Sequence, residues 1–79
     1  MFDEKQFRLK MISAGLSIKD IANAVGVNEA TLYRKIKGVT DFTRNEMVVI
    51  RSVLHLNASD FENIFFAPEL TETQEVSPA

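Results

Sequence analysis

The 79-residue chain has no cysteine and no tryptophan, and only one histidine, one tyrosine, two prolines and three glycines. Without cysteine it can build neither a disulfide framework nor a cysteine-ligated zinc site, so a small core or a partner must supply its stability. The single histidine, His55, lies between Leu54 and Leu56 with no carboxylate pair beside it. It offers no metal cluster and no nucleophile-activating pair, and it reads as a loop residue. No Gly-rich phosphate loop occurs, and Ser13, Ser17, Ser52, Ser59 and Ser77 stand outside any nucleophile motif. These absences point away from an enzyme, and no cofactor, metal or small-molecule substrate is expected. Long apolar runs are missing too. Nothing approaches the roughly 18 residues of a membrane span, and the opening MFDEKQFRLK has no apolar signal region, so no membrane partner and a cytoplasmic location are expected.

Positive charge is also scarce. The net charge is −2, whereas a chain that binds phosphate usually carries an excess of Lys and Arg. The distribution is uneven: residues 1–66 hold all nine basic side chains and eight of the eleven acidic ones. Glu69, Glu72 and Glu75 make the remainder acidic. From residue 67 the composition APELTETQEVSPA has two prolines and few large apolar residues, too little to offset the entropy of ordering. One domain over 1–66 and a disordered acidic tail over 67–79 are expected. A domain this small buries only about 60% of its unfolded surface.

What is present is helical punctuation. Five helices can be laid down. The first starts near Asp3, with Gln6 three residues on, runs to Ala14 before Gly15, and turns Phe7 and Met11 inward. The next two occupy SIKDIANAVGVNEATLYRKIKG, from Ser17 to Gly38. Ser17 with Asp20 is a capping-box variant, Ile21, Ala22 and Val25 form an apolar stripe, and Gly26 sits where the chain must turn. Val27 enters the shared core, Asn28 caps the second segment, and Leu32 and Ile36 supply its stripe. Gly38, after Lys35 and Lys37, stops it. Thr43 and Glu46 open a fourth helix with Met47, Ile50 and Leu54 inward, Phe42 anchoring the loop before it. Asn57 and Asp60 open a fifth, with Phe61, Ile64 and Phe65 turning inward.

Two short helical segments meeting at a glycine are the pattern of a helix-turn-helix, though a plain helical hairpin in a bundle has the same local features. The order of the five elements resembles the Cro and repressor family of phage regulators, the xenobiotic-response-element type, over Phe7 to about Phe66. GLSIKDIANAVGVNEATLYRKIKG and MVVIRSVLHLNASDFENIF carry the resemblance. EATLYRKIKG, TDFT and FENIFF look most like small regulators from temperate phages of low-GC Gram-positive bacteria. The resemblance implies an all-α, five-helix lambda-repressor-like domain and a transcriptional regulator in a bacterial host cell. The chain departs from the family pattern at Ile18, where a Gln often supports phosphate contact, and at Arg51, where Ala is common.

In a helix-turn-helix the start of the second helix reaches base edges in the major groove, and the first helix spans the backbone. With Leu32 and Ile36 inward, Glu29, Ala30, Tyr33, Arg34 and Lys37 fall on the outer face, and Thr31 joins them at the first turn. Arg34 is suited to guanine O6 and N7, Glu29 to a cytosine amino group, and Ala30 to a thymine methyl. Asn28, Lys37, Arg44 and Lys19 are expected on phosphates. The alternative for the basic cluster is a solvated last turn favoured by the helix dipole. An apolar patch of Val48, Val49 and Val53 with Phe65 or Phe66 is expected to hold a homodimer or a partner, as paired half-sites require, unless a tight core absorbs it. The primary expectation is a repressor-type regulator bound to a double-stranded operator. The rival is an antirepressor that occupies a partner repressor's DNA-binding face, which the low charge, Ile18 and Glu29 favour.

Overall fold

The computed structural model describes residues 1–67, and within them the chain is all-helical, with no strand. The helices are α1 (Glu4–Ser13), α2 (Ile18–Val25), α3 (Glu29–Ile36), α4 (Arg44–Val53) and α5 (Ala58–Phe65). The disordered tail expected over 67–79 lies, apart from Ala67, outside the described residues.

Every helix start is capped by the residue that the spacing selects. Ser17 and Thr43 form full capping boxes, the Asp20 and Glu46 carboxylates accepting the cap N–H at 2.8 Å in each case. Asp3, Asn28 and Asn57 each accept a backbone N–H three residues on. Such caps contribute about 1 kcal/mol apiece. The C-terminal ends are equally regular: Gly15, Gly26, Gly38 and His55 all have left-handed backbone, at φ +74°, +89°, +84° and +54°. After α4, the His55 N–H donates to the Ser52 carbonyl and the Leu56 N–H to that of Arg51, so a histidine occupies the place that glycine takes after α1 and α3. His55 is exposed, and its side chain gives up little if removed. His55→Gly is therefore expected to raise the stability by up to about 1 kcal/mol, read as an increased urea midpoint at unchanged slope. A decrease would mean that the imidazole has a packing role.

α2 packs against both α3 and α4, and α1 against α5. Phe7, Ile21, Leu32, Ile50 and Ile64, one from each helix, are the fully buried side chains. Around them Met11, Ala22, Ile36, Leu54, Leu56 and Phe65 complete the core, with Val25, Val27, Met47, Val53 and Phe61 half-buried against it. Ile18 belongs to this core as well, at 8% exposure. It is an inward residue, not a surface position lacking a Gln, because 18, 21, 22 and 25 lie on one helical stripe.

An aromatic cluster closes the domain at its ends. Phe2, which precedes α1, lies 5.3, 5.0 and 5.2 Å from the rings of Phe7, Phe42 and Phe65. The Asp3 N–H donates to the Ile64 carbonyl at 2.7 Å, and the Ala67 N–H to that of Met1 at 2.9 Å, fastening the segment to α5. Phe65 cannot serve an interface as expected. It is 7% exposed because α5 turns it inward, whereas Phe66, just past the helix, is 61% exposed. Val49 and Val53 are half-buried, so the apolar surface left on this side is that of Val48 and Phe66.

Candidate nucleic-acid interface

α3 is eight residues long, and three residues, Gly26, Val27 and Asn28, join it to α2. Its inward side is fixed by Leu32 and Ile36, at 0% and 3% exposure. Glu29, Ala30, Tyr33, Arg34 and the C-cap Lys37 are all exposed on the other side, and Thr31 is half-buried. Periodicity alone produces this separation, since residues 32 and 36 are one helical turn apart.

Exposure does not make these side chains equivalent. Lys37 Nζ pairs with Glu4 at 2.9 Å, the same carboxylate that accepts from Arg8 Nε at 2.9 Å, so α1 holds the end of α3. The Arg8 guanidinium also lies 6.0 Å over the Tyr33 ring. Asn28 Oδ1 accepts from the Thr31 N–H at 2.7 Å, which leaves its amide hydrogens free to donate. Arg34 has one weak tie, to Thr31 Oγ1 at 3.4 Å, and among the described residues no carboxylate partner. Lys19 at the start of α2 and Arg44 at the start of α4 are exposed and likewise unpaired among the described residues. Of the expected basic contacts, Lys19, Arg34 and Arg44 are therefore uncommitted and Lys37 is shared.

Lys35 has a different role from its neighbours. Its Nζ lies 3.1 Å from Glu46 and donates to the Asp41 carbonyl at 3.0 Å, with its side chain only 11% exposed. Lys35 thus ties the C-terminus of α3 to the capping box of α4. The sequence placed it only in the basic last turn of the helix, with a solvated charge as the alternative, and no local signal connects residues 35 and 46 across an intervening loop.

Three carboxyls in these ties titrate low. The Lys37 and Arg8 donors hold Glu4 below the usual range, and the Ser17 N–H and hydroxyl do the same for Asp20. Burial pushes Glu46 up, but the Thr43 N–H and the Lys35 ammonium together outweigh it and lower its pKa. A carboxyl whose pKa falls on folding binds fewer protons folded than unfolded. Its stabilisation is complete above the ordinary carboxylate range near pH 4 and is lost as the pH falls through the lower folded values. Thermal melts followed by circular dichroism should show a constant midpoint from pH 7 to about 5 and a steep fall below about 4. Glu46→Gln should flatten that fall, and an unchanged profile would show that the tie contributes nothing.

Among the described residues no helix is long and apolar enough to cross a membrane, and no three His, Cys, Asp or Glu side chains converge as metal ligands. No family model, no curated protein and no solved structure matches the chain.

Proposed function

We propose that this chain is a helix-turn-helix transcriptional regulator of the Cro and repressor type, which reads an operator in the major groove with α3. The observation that carries the reading is the outer face of α3. A short helix, capped at both ends and joined to α2 by three residues, presents Glu29, Ala30, Tyr33 and Arg34 together while its other side is buried. The dimensions suit a groove about 12 Å wide. Arg34 is the base-reading side chain in this reading, because nothing competes strongly for its guanidinium. Lys19 and Arg44 flank it as phosphate contacts, with the Asn28 amide as an uncharged donor.

Counterion release tests the reading directly. Binding to random duplex should weaken with salt at a logarithmic slope of roughly −2 to −4, as two to four neutralised phosphates demand. Fluorescence anisotropy across a salt series measures it, and a flat response would overturn the proposal.

A second reading has its own support in Glu29, exposed at the front of α3, and in the pairing of Lys35 and Lys37 with carboxylates. An α3 face so depleted of free cations suits an antirepressor that covers the basic surface of a partner repressor. Absence of duplex binding at low salt, with retained binding to a basic regulator, would favour it.

A further inference from the structure

The outer side of α4 carries a groove that the α3 reading does not use. It encloses about 350 Å³ and is lined by Arg44, Met47, Val48 and Arg51 of α4, with Phe61 and Phe66. On α4 these residues stand at i, i+3, i+4 and i+7, so two arginines about 10.5 Å apart bracket an apolar floor. Val48 is 58% exposed and Phe66 61%. Arg51 is fixed in place, its Nε donating to the Leu56 carbonyl at 3.3 Å and its guanidinium 5.4 Å over the Phe61 ring. Neither arginine meets a carboxylate among the described residues.

We propose that the acidic C-terminal segment of this same chain, residues 68–79, occupies the arginine-bracketed groove of α4 and α5. The chain leaves the described structure beside it: Phe66 lines the groove, and Ala67 is held by its N–H bond to the Met1 carbonyl. Glu69, Glu72 and Glu75 recur every third residue, and Leu70 lies between the first two. A span of three residues reaches at most about 10 Å, close to the rise along α4 between the backbone positions of Arg44 and Arg51. Glu69 and Glu72 lie two and five residues beyond Ala67, within reach at about 3.4 Å per residue.

Charge selects this occupant over a second copy. A two-fold contact on the groove would bring Arg44 and Arg51 of one molecule against the same residues of the other, and like charges brought together across an interface are unfavourable. The tethered segment neutralises them and adds the high effective concentration of a short link. If α3 engages a duplex with Arg44 on a phosphate, the segment competes for that arginine. The docking itself does not depend on that reading.

The absence of cysteine provides the test, since Ser77→Cys in the full chain is a unique site for a nitroxide spin label. Amide signals of 44–51 should lose most of their intensity at low salt and regain it at high salt, while signals of α2, on the far side of α4, lose less. Arg44→Glu, at an exposed position, should abolish the loss, and so should combined Glu69→Gln, Glu72→Gln and Glu75→Gln, which leaves residues 1–67 untouched. No broadening on α4 overturns the proposal. Broadening that appears only when spin-labelled chain is mixed with isotope-labelled chain also overturns it, in favour of a second copy.

Discussion

Replacing Phe65 with alanine is expected to cost about 3–5 kcal/mol, whereas the same change at the adjacent Phe66 should cost about 0.5 kcal/mol or less. The two residues are neighbours of identical chemistry, and only their places relative to α5 differ. Phe65 is 7% exposed and packs against Phe2, Phe42 and Phe61 at ring separations of 5.2, 5.4 and 5.0 Å. Its removal leaves a void where the segment before α1, the loop before α4 and α5 meet, and none of these can close over it without moving a helix. A core this small rarely supplies more than about 3–5 kcal/mol in total, so Phe65→Ala should be largely unfolded at room temperature. Phe66 meets one other ring, Phe61 at 5.9 Å, and is 61% exposed. Urea unfolding followed by circular dichroism measures both variants. Equal losses, or a larger one at Phe66, would show that α5 does not turn Phe65 alone into the core.

Arg34→Ala is expected to lower affinity for a selected operator by about 5- to 140-fold, the range of 1–3 kcal/mol that a bidentate arginine–guanine contact supplies. Binding to random duplex should fall much less, because a base contact carries sequence information that a phosphate contact does not. Stability should be unchanged, since the side chain is exposed and its one internal bond is weak. Duplexes enriched from a randomised pool by the intact protein supply the specific target, and anisotropy titrations with both chains on both duplexes complete the comparison. Equal loss on the two would make Arg34 a phosphate contact and remove it from the reading of bases. Lys37→Ala is the useful contrast. Lys37 shares Glu4 with Arg8, so its removal also loosens α1 from α3 and should register in stability as well as in binding.

The helices were legible because their signals are local. Ser17 with Asp20 and Thr43 with Glu46 lie three residues apart, within one turn, and the boxes they form need no other part of the chain. Phe7 and Met11, Leu32 and Ile36, and Ile50 and Leu54 each lie four apart, and every one of these side chains is buried. Ile18 was missed, being taken for a position that lacks the family's Gln, although it lies three, four and seven residues from Ile21, Ala22 and Val25 and the same rule places it inward. Its spacing is a better guide to its place than a family's preference for Gln there.

The candidate site was legible only in outline. Spacing separates the outer face of α3 from the inner, and so it names Glu29, Ala30, Tyr33, Arg34 and Lys37. It cannot say which of the basic residues are already engaged. Glu4 is 33 residues from Lys37 and Glu46 is 11 from Lys35, and both pairs form because α1 and α4 approach the end of α3. The ordinary charge count treats all these lysines alike.

By itself, then, the stretch from Ser17 to Gly38 determined two capped helices, a turn at Gly26 and one face free for contact, since capping and amphipathic spacing act within a few residues. The tertiary structure alone decided that Phe2 joins the core, and that Lys35 and Lys37 are tied to carboxylates while Arg34 meets none among the described residues. Those outcomes depend on the direction in which one helix crosses another, and no residue's own neighbours in sequence encode that.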